Sequence, residues 1–403
     1  EYDLSFSNNR NKTNSTSTGL NPQYSSELEL NITQPLLKGF GIDLNKREIY
    51  IASNDVKISD LDFEEQVIDI VSDVENAYWD LVFSIDDLEV KKTSLERAQD
   101  FQRRVEAQVE VGTLAPLEIL QAKSEVASRE ELLLSAEDLI KDNEDRLKNF
   151  LNIGFNSTEG MSTLTPADRP SMQDVDIDLE SSIQNAIKKR PDYLAKRTDL
   201  ENKNILVKYN ENQIFPSVDL IGSLGLNGIS GKTQSSTGRF ATSSQFEGRY
   251  GQALSDLMGT ENFLWKFGVQ FSYPLGNRSA KSRLTAARLE AAQLLLDIKD
   301  LEKDIIVEVR EAARQIKTDV KRVQAARAAR NLAEEKLSAE EKKYEVGLST
   351  SFNVLEFQED LTEEQSNEIK AVIDFNKSLI KLRQVSGTTL EKHNIKLSSE
   401  DDS

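Results

Sequence analysis

Residues able to perform catalysis or to bind a metal are scarce in this sequence. There is no cysteine and only one histidine, His393, which excludes disulfides, thiol catalysis and Cys/His zinc sites. Gly231-Lys232-Thr233 ends like a phosphate-binding loop, but Leu226 stands where that loop needs its first glycine. His393 lies near an acidic tail without a catalytic or metal-ligating neighbour, so we expect it to be exposed. We predict that the chain is not an enzyme and has no cofactor or metal.

Acidic side chains are the remaining candidates for chemistry, and several follow two junctions centred on Gly112 and Gly347. Glu356 has carboxylates three, four and seven residues later, on one side of a helix: Glu359, Asp360 and Glu363. Such a group favours cations when it lines a pore. An acidic residue early in a helix is also favoured by the helix dipole alone. Both explanations stay open for Glu356 and for Glu118.

Long stretches without glycine or proline predict the elements that position these carboxylates. Both residues are absent from 42 to 111 and from 277 to 346, and again from 117 to 153 and from 348 to 386. These stretches are rich in good helix formers. A helix over either long stretch would extend for roughly 105 Å at about 1.5 Å per residue, which is incompatible with a compact globule. A glycine at each junction can end a helix, so we predict two antiparallel helical hairpins.

The two hairpins belong to an internal repeat. Gly112 and Gly347 are 235 positions apart, and the same offset pairs apolar residues along both hairpins without a gap: Ile70 with Ile305, Val74 with Val309, Ala77 with Ala312, Ala98 with Ala333 and Leu120 with Leu355. A repeat of this size predicts two structurally equivalent halves.

Strand-like segments precede each hairpin, because apolar and polar residues alternate there. The alternating segments are Tyr2-Leu4-Phe6, Leu28-Leu30-Ile32, Val218-Leu220-Gly222-Leu224 and the stretch from 263 to 273. Polar loops are expected at 10–24 and 231–262. Strands of about 9–11 residues fit a membrane β-sheet, although a small soluble sheet packed on the helices is the alternative. Four strands cannot close a membrane barrel, so several copies would have to share one.

Composition excludes other classes of protein. Charged residues make up 30% of the 403 residues and the formal net charge is −19, so we expect no binding to nucleic acid. No apolar run approaches the roughly 18 residues that a membrane-spanning helix needs.

Taken together, these segments resemble the TolC-type outer-membrane efflux proteins, in the same order and duplicated at the same spacing. The residues that carry the resemblance are Gln34-Pro35-Leu36-Leu37-Lys38-Gly39, Tyr273-Pro274-Leu275-Gly276, Tyr344-Glu345-Val346-Gly347, Asn353-Val354-Leu355-Glu356, Phe215-Pro216-Ser217-Val218 and the stretch from 179 to 194. The resemblance implies a mixed α/β membrane protein, in which a homotrimer forms a 12-stranded β-barrel in the outer membrane above a helical periplasmic tunnel. It implies a passive conduit whose partners are outer-membrane lipid, a periplasmic adaptor protein and an inner-membrane pump.

The resemblance also implies roles for particular residues. It places a pore constriction after the glycine junctions, at Asn353, Glu356, Glu359, Asp360, Glu118 and Gln121. The adaptor would dock on the tips of the hairpins, at Val111, Gly112, Thr113, Val346, Gly347, Leu348 and Ser349, although these glycines are also required simply to turn the chain. Aromatic residues of the last strand would face lipid: Trp265, Phe267, Phe271 and Tyr273. A buried face of a soluble sheet would explain the same aromatic pattern.

The expected organisation follows the repeat. It comprises a first strand pair (1–40), a first hairpin (41–153), a connecting segment (154–214), a second strand pair (215–276), a second hairpin (277–386) and a tail (387–403). Residues 178 to 214 have no counterpart before the first strands, so the repeat predicts roughly 60 further residues ahead of Glu1. A soluble periplasmic adaptor and a coiled-coil scaffold remain the rival interpretations, although neither needs a duplicated strand–hairpin unit.

Overall fold

The computed structural model describes residues 1–15, 18–154, 160–172, 177–233, 246–259 and 262–397. The chain forms two units, a strand unit of residues 1–55 and 199–295 and a helical unit of residues 56–198 and 296–403. Parts of the expected loop 231–262, of the connecting segment and of the tail lie outside the described residues.

Four antiparallel strands form one sheet in the strand unit, in the order β1-β2-β3-β4. The strands are β1 (Tyr2–Asn11), β2 (Leu20–Pro35), β3 (Ser217–Thr233) and β4 (Phe263–Ser272). The ends of β1, β2 and β3 extend into segments that the sequence indicated as loops. Asn11 pairs with Gln23, for example, because the backbone ladder continues through polar residues once the strands are in register.

The two faces of this sheet differ in chemistry. One row of paired residues runs Leu4, Leu30, Leu224 and Trp265, and the next runs Phe6, Leu28, Leu226 and Phe263. We call the side that carries these rows the apolar face. The opposite face carries rows such as Asp3, Asn31, Ser223 and Lys266. One apolar face and one largely polar face follow directly from the period-2 alternation along each strand.

Long helices form the predicted hairpins. The first pairs α2 (Arg47–Glu110) with α3 (Pro116–Phe150), and the second pairs α7 (Arg278–Glu345) with α8 (Ser351–Val385). The helices of the first long stretch differ from expectation in one respect, since a separate turn, α1 (Ile42–Asn45), is followed by a break at Lys46. The predicted mixture of long hairpins, one four-stranded sheet and an internal repeat is confirmed.

Shorter helices complete the chain. They are α4 (Leu179–Lys189), α5 (Pro191–Asn212), α6 (Tyr250–Met258) and α9 (Thr389–Lys392). Pro191 lacks the N–H that would continue α4, which explains the boundary between α4 and α5. Helix α6 lies inside the segment that the sequence indicated as a polar loop.

The core of the helical unit is divided into separate clusters along the hairpins. One cluster joins Ala77, Leu81 and Leu147, and another joins Ile316, Val323, Ala371 and Phe375. Many core positions hold alanine or valine, which allow close approach of neighbouring helices. Among the helices of the described residues, none combines the length and the apolarity needed to cross a membrane.

Candidate functional site

The two hairpin tips have the same backbone geometry. Gly112 has φ 81° and Gly347 has φ 77°, a left-handed conformation that favours glycine. At the first tip the Thr113 amide donates to the Gln108 carbonyl at 2.9 Å. At the second, the Leu348 amide donates to the carbonyl of Lys343 at 2.8 Å. Each pair consists of repeat equivalents, and each bond closes a glycine helix cap of the Schellman type.

Side chains predicted for adaptor docking are mostly exposed at these tips. Val111, Val346 and Leu348 are 75%, 69% and 78% exposed. Ser349 differs, because it is half-buried and its hydroxyl donates to Glu340 Oε1 at 2.5 Å. The tips therefore present uncovered apolar side chains on two rigid turns.

A shared core holds the two tips together. It is built from both hairpins and contains Phe101, Val105, Ala333, Leu337, Val354, Leu355 and Leu361. Tyr344 packs against Phe101, with ring centroids 5.3 Å apart, and its hydroxyl donates to Gln108 Oε1 at 2.8 Å. The two tips that carry the residues predicted for docking are therefore joined by one packed core.

The predicted constriction residues occupy two environments. On α8, the side chains of Glu356, Glu359 and Asp360 are exposed. Asn353 is half-buried, and its side-chain amide donates to Ser349 Oγ at 3.3 Å. These contacts give Asn353 a part in the structure of the tip that the resemblance did not predict.

On α3 the predicted constriction residues are less exposed. Glu118 and Gln121 are both half-buried. The Glu118 Oε2 atom is shielded from solvent and finds no hydrogen-bond donor among the described residues. A carboxylate oxygen in that state loses hydration without gaining a hydrogen bond, and Glu118 also lies in the first turn of α3, where the helix dipole favours an acidic residue.

Sequence analysis missed a buried arginine close to these residues. Arg129 on α3 is 4% exposed and its Nε donates to Glu125 Oε1 at 2.8 Å. Its terminal nitrogens donate to the Ser94 carbonyl on α2 at 3.1 Å, and to Gln358 Oε1 and the Leu355 carbonyl on α8, both at 3.2 Å. Arg129 thereby joins three helices. On a helix with many charged residues, the sequence pattern does not distinguish a buried arginine from a solvent-exposed one.

Further polar contacts connect α2 with α8 along their length. Thr362 donates to Ser94 Oγ at 2.9 Å. The remaining pairs are Ser366 with Asp87, Lys377 with Asp80, and Arg383 with Glu75. His393 is exposed as predicted, but it has an acidic neighbour that the sequence did not indicate, because its Nε2 lies 3.2 Å from Glu75 Oε1. The seam between the two hairpins is therefore rich in directional polar contacts.

The segment between α4 and α5 contains a half-buried arginine at the centre of a cluster of charged side chains, which we call the charged hub. Arg190 contacts Asp192 Oδ2 at 2.7 Å and Glu308 Oε2 at 2.5 Å. Burial opposes the charge of Arg190, but these carboxylates raise its pKa above the ordinary value. Burial, followed by repulsion from Asp192 and Asp69, raises the pKa of Glu65 beside it. This hub anchors the start of α5 through Arg190.

The aromatic residues predicted to face lipid lie on the apolar face or at its end. Trp265, Phe267 and Phe271 are 67%, 71% and 68% exposed. Tyr273 follows the last residue of β4 and is 43% exposed. The alternative of a buried aromatic face does not hold within a single copy of the chain.

Comparison with known proteins identifies the family. The model of the family described as outer membrane efflux protein matches residues 2–152 and 182–388. A search of curated proteins finds no match. Among solved structures, the chain resembles the Campylobacter jejuni CmeC outer membrane channel, with a TM-score of 0.73, 18% identity, and 100% of this chain and 82% of that chain covered.

Two further channels show the same fold. The Vibrio cholerae outer membrane protein VceC gives a TM-score of 0.71 at 18% identity, covering 96% of this chain and 86% of that chain. The open state of the Neisseria gonorrhoeae MtrE outer membrane channel gives a TM-score of 0.69 at 14% identity, covering 97% of this chain and 81% of that chain. The chain belongs to the outer membrane efflux protein family and is an outer-membrane protein.

Proposed function

We propose that this chain is the outer-membrane exit duct of a tripartite efflux or type I secretion system. In this role it is a passive conduit for substrates that an inner-membrane pump exports through a periplasmic adaptor. The observation that carries the proposal is the four-stranded sheet, which combines an exposed apolar face with a polar face. A sheet of this kind suits lipid on one side and water on the other.

The edges of the sheet support assembly into a trimer. Strands β1 and β4 are the two edges, and neither has an outer partner among the described residues. Both have ten residues, so β4 of one copy can pair with β1 of the next over their whole length. An edge left open in a membrane is costly because its backbone groups cannot hydrogen-bond to water. Three copies would close twelve strands.

The hairpins support the remaining parts of the duct. Their long polar helices suit the wall of a water-filled tunnel, and the exposed tip residues Val111, Val346 and Leu348 suit docking of an adaptor. We assign Glu356, Glu359 and Asp360 to the narrow part of the tunnel, where exposed carboxylates would favour cations. Cargo is selected upstream of such a duct, by the pump.

Extraction and conductance test the proposal. The full-length protein should require detergent for extraction, migrate as a heat-resistant oligomer and conduct ions across a planar lipid bilayer. A protein that is soluble without detergent and shows no conductance would contradict it and favour a periplasmic adaptor or a scaffold.

The role of the carboxylates has its own test. Glu356→Gln should reduce cation selectivity, which is read from the reversal potential of single channels under a salt gradient. Lys303→Gln on α7 provides a control, because that charge pairs with Asp300 on the surface. An unchanged reversal potential in Glu356→Gln would remove Glu356 from the constriction while leaving the duct in place.

A further inference from the structure

Helix α6 lies directly on strand β3. A Cβ atom placed on Gly228 would lie 1.8 Å from the carbonyl oxygen of Ala253, so only glycine permits this approach. Gly228 is two residues beyond Leu226 and therefore belongs to the same side of β3. Helix α6 thus covers the continuation of the apolar face, on the same side of the sheet as Trp265.

Small residues of β2 and β3 form the surface on which this helix packs, which we call the seat. Ser26 pairs with Gly228, and Ser230 lies two residues further along β3. Ser26 and Ser230 are only 1% and 0% exposed, and the Ser230 hydroxyl donates to the Arg249 carbonyl at 3.0 Å. On the helix, Ala253 and Leu257 are buried against the seat. The position of α6 is therefore specified by packing and by hydrogen bonding.

Helix α6 runs antiparallel to β3, from the level of Gly231 to the start of β4. Before the helix, the Gly248 amide donates to the Gly231 carbonyl at 3.0 Å. After the helix, the Asn262 carbonyl accepts from the Asn227 amide at 3.0 Å, and Phe263 then pairs with Leu226. The C-terminal end of α6 consequently meets the border of the apolar face at the place where β4 begins.

A second apolar stripe on α6 remains uncovered. Tyr250, Leu254 and Met258 follow one another at intervals of four, so they share one side of the helix. They are 41%, 36% and 77% exposed. Tyr250 contacts a ring of the sheet, with its centroid 6.3 Å from that of Tyr24. The remaining surface is polar and carries Gln252, Ser255 and Asp256.

We propose that α6 contacts the outer leaflet of the membrane, with Tyr250, Leu254 and Met258 inserted at the edge of the acyl chains. The inference rests on the proposed function. The stripe adjoins the apolar face on the same side of the sheet, and it lies at the strand ends opposite those that continue into α1 and α7. Strand β3 extends beyond β4 here, and α6 packs on the face of this extension. A short amphipathic helix at a lipid boundary buries such a stripe.

Spin labels on single cysteines test this inference, because the native chain contains no cysteine. We would label Leu254→Cys, Met258→Cys, Ser255→Cys on the polar side, and Phe267→Cys on β4. Each full-length variant is reconstituted in phospholipid vesicles after its heat-resistant oligomer has been verified. Collision rates with molecular oxygen and with a water-soluble nickel chelate are then compared.

Labels at positions 254 and 258 should favour oxygen over nickel several-fold more than the label at 255, and should approach the label at 267. Equal nickel access at 254, 258 and 255 would overturn the inference, and so would shielding of 254 and 258 from both reagents by a neighbouring copy. In both of those cases a lipid-exposed label at 267 would leave the proposed function intact. Free nickel access at 267 itself would instead contradict the proposed function.

Discussion

Helices α3 and α8 occupy equivalent places in the repeat, yet their surroundings differ. Both have 35 residues and follow the same glycine turn. Twelve residues of α8 are buried but only six of α3. Leu355 is 4% exposed, whereas its equivalent Leu120 is 66% exposed. Along the preceding helices, Ile305 is fully buried while its equivalent Ile70 is 53% exposed.

This difference shows that a repeat preserves local structure but not environment. The turn at each tip depends on neighbouring backbone groups, so it is identical in both hairpins. Burial depends on which other helix lies alongside, and within one copy α8 is more enclosed than α3. Helix α3 accordingly exposes large apolar side chains that have no cover among the described residues: Leu117, Leu120, Leu132, Leu134 and Leu139.

The largest expected difference between the hairpins comes from Arg129. Replacing it by alanine removes the donors to Ser94, Gln358 and Leu355 and leaves Glu125 unpaired. Breaking a buried charged contact of this kind costs about 3–5 kcal/mol. The measurement is denaturant unfolding of the full-length protein in detergent, followed by helical circular dichroism.

The matched control is Glu364→Ala, the repeat equivalent on α8, which should change the free energy of unfolding by less than about 0.5 kcal/mol. Equal effects of both substitutions would show that the network around Arg129 does not stabilise the seam.

Core packing should give the next largest difference. Leu355→Ala leaves a cavity beside Phe101 and Leu337 and should cost about 2–5 kcal/mol. Leu120→Ala removes an exposed side chain and should cost about 0.5 kcal/mol or less. Hydrogen exchange at the amides of both tips measures the two effects. A large effect of Leu120→Ala would mean that another copy of the chain covers α3.

Helix capping should give a smaller difference. The Thr350 hydroxyl accepts a hydrogen bond from the Asn353 amide at 3.4 Å, whereas Ala115 at the start of α3 has no side-chain cap. Thr350→Ala should cost about 1 kcal/mol and Ala115→Ser should stabilise α3 by a similar or smaller amount. Both changes are measured as shifts in local hydrogen exchange. No gain from Ala115→Ser would indicate that Pro116 alone already fixes that turn.

Acid sensitivity should give the smallest difference. Hydrogen bonds from Lys343 and Ser349 lower the pKa of Glu340 from its ordinary value of 4.5. A lowered pKa contributes stability that is present above the ordinary pKa and lost as the pH falls through the lowered one. The repeat equivalent of Glu340 is Val105, so the loss of this particular contribution below about pH 4.5 is confined to the second tip.

The measurement is hydrogen exchange at the Leu348 amide relative to the Thr113 amide, as a function of pH. Glu340→Gln should weaken the fall of that ratio at low pH. A ratio that falls equally in the wild type and in Glu340→Gln would exclude Glu340 as the cause.

Much of the fold was predictable because its signals are local. Missing glycine and proline indicated the long helices, and glycine at positions 112 and 347 indicated the turns that join them. Alternation around Leu30 and Trp265 indicated the strands and their apolar face. Each of these signals depends on residues within one or two turns, or on one sheet period, of each other.

Other features escaped prediction because they depend on contacts between distant segments. The buried position of Arg129 arises only when α2, α3 and α8 come together. The contact of His393 with Glu75 joins residues that are far apart in the chain. Helix α6 is too short for a reliable periodic pattern, and it forms against a seat that includes Ser26 from another strand.

The sequence by itself determined the helices, the turns, the strands and the repeat, because propensity and periodicity act over short distances. Only the tertiary structure decided which equivalent residues are buried, since burial depends on neighbours that the chain brings from elsewhere. In the folded chain Leu355 is a core residue and Leu120 is exposed, although both are leucines at equivalent positions of the repeat.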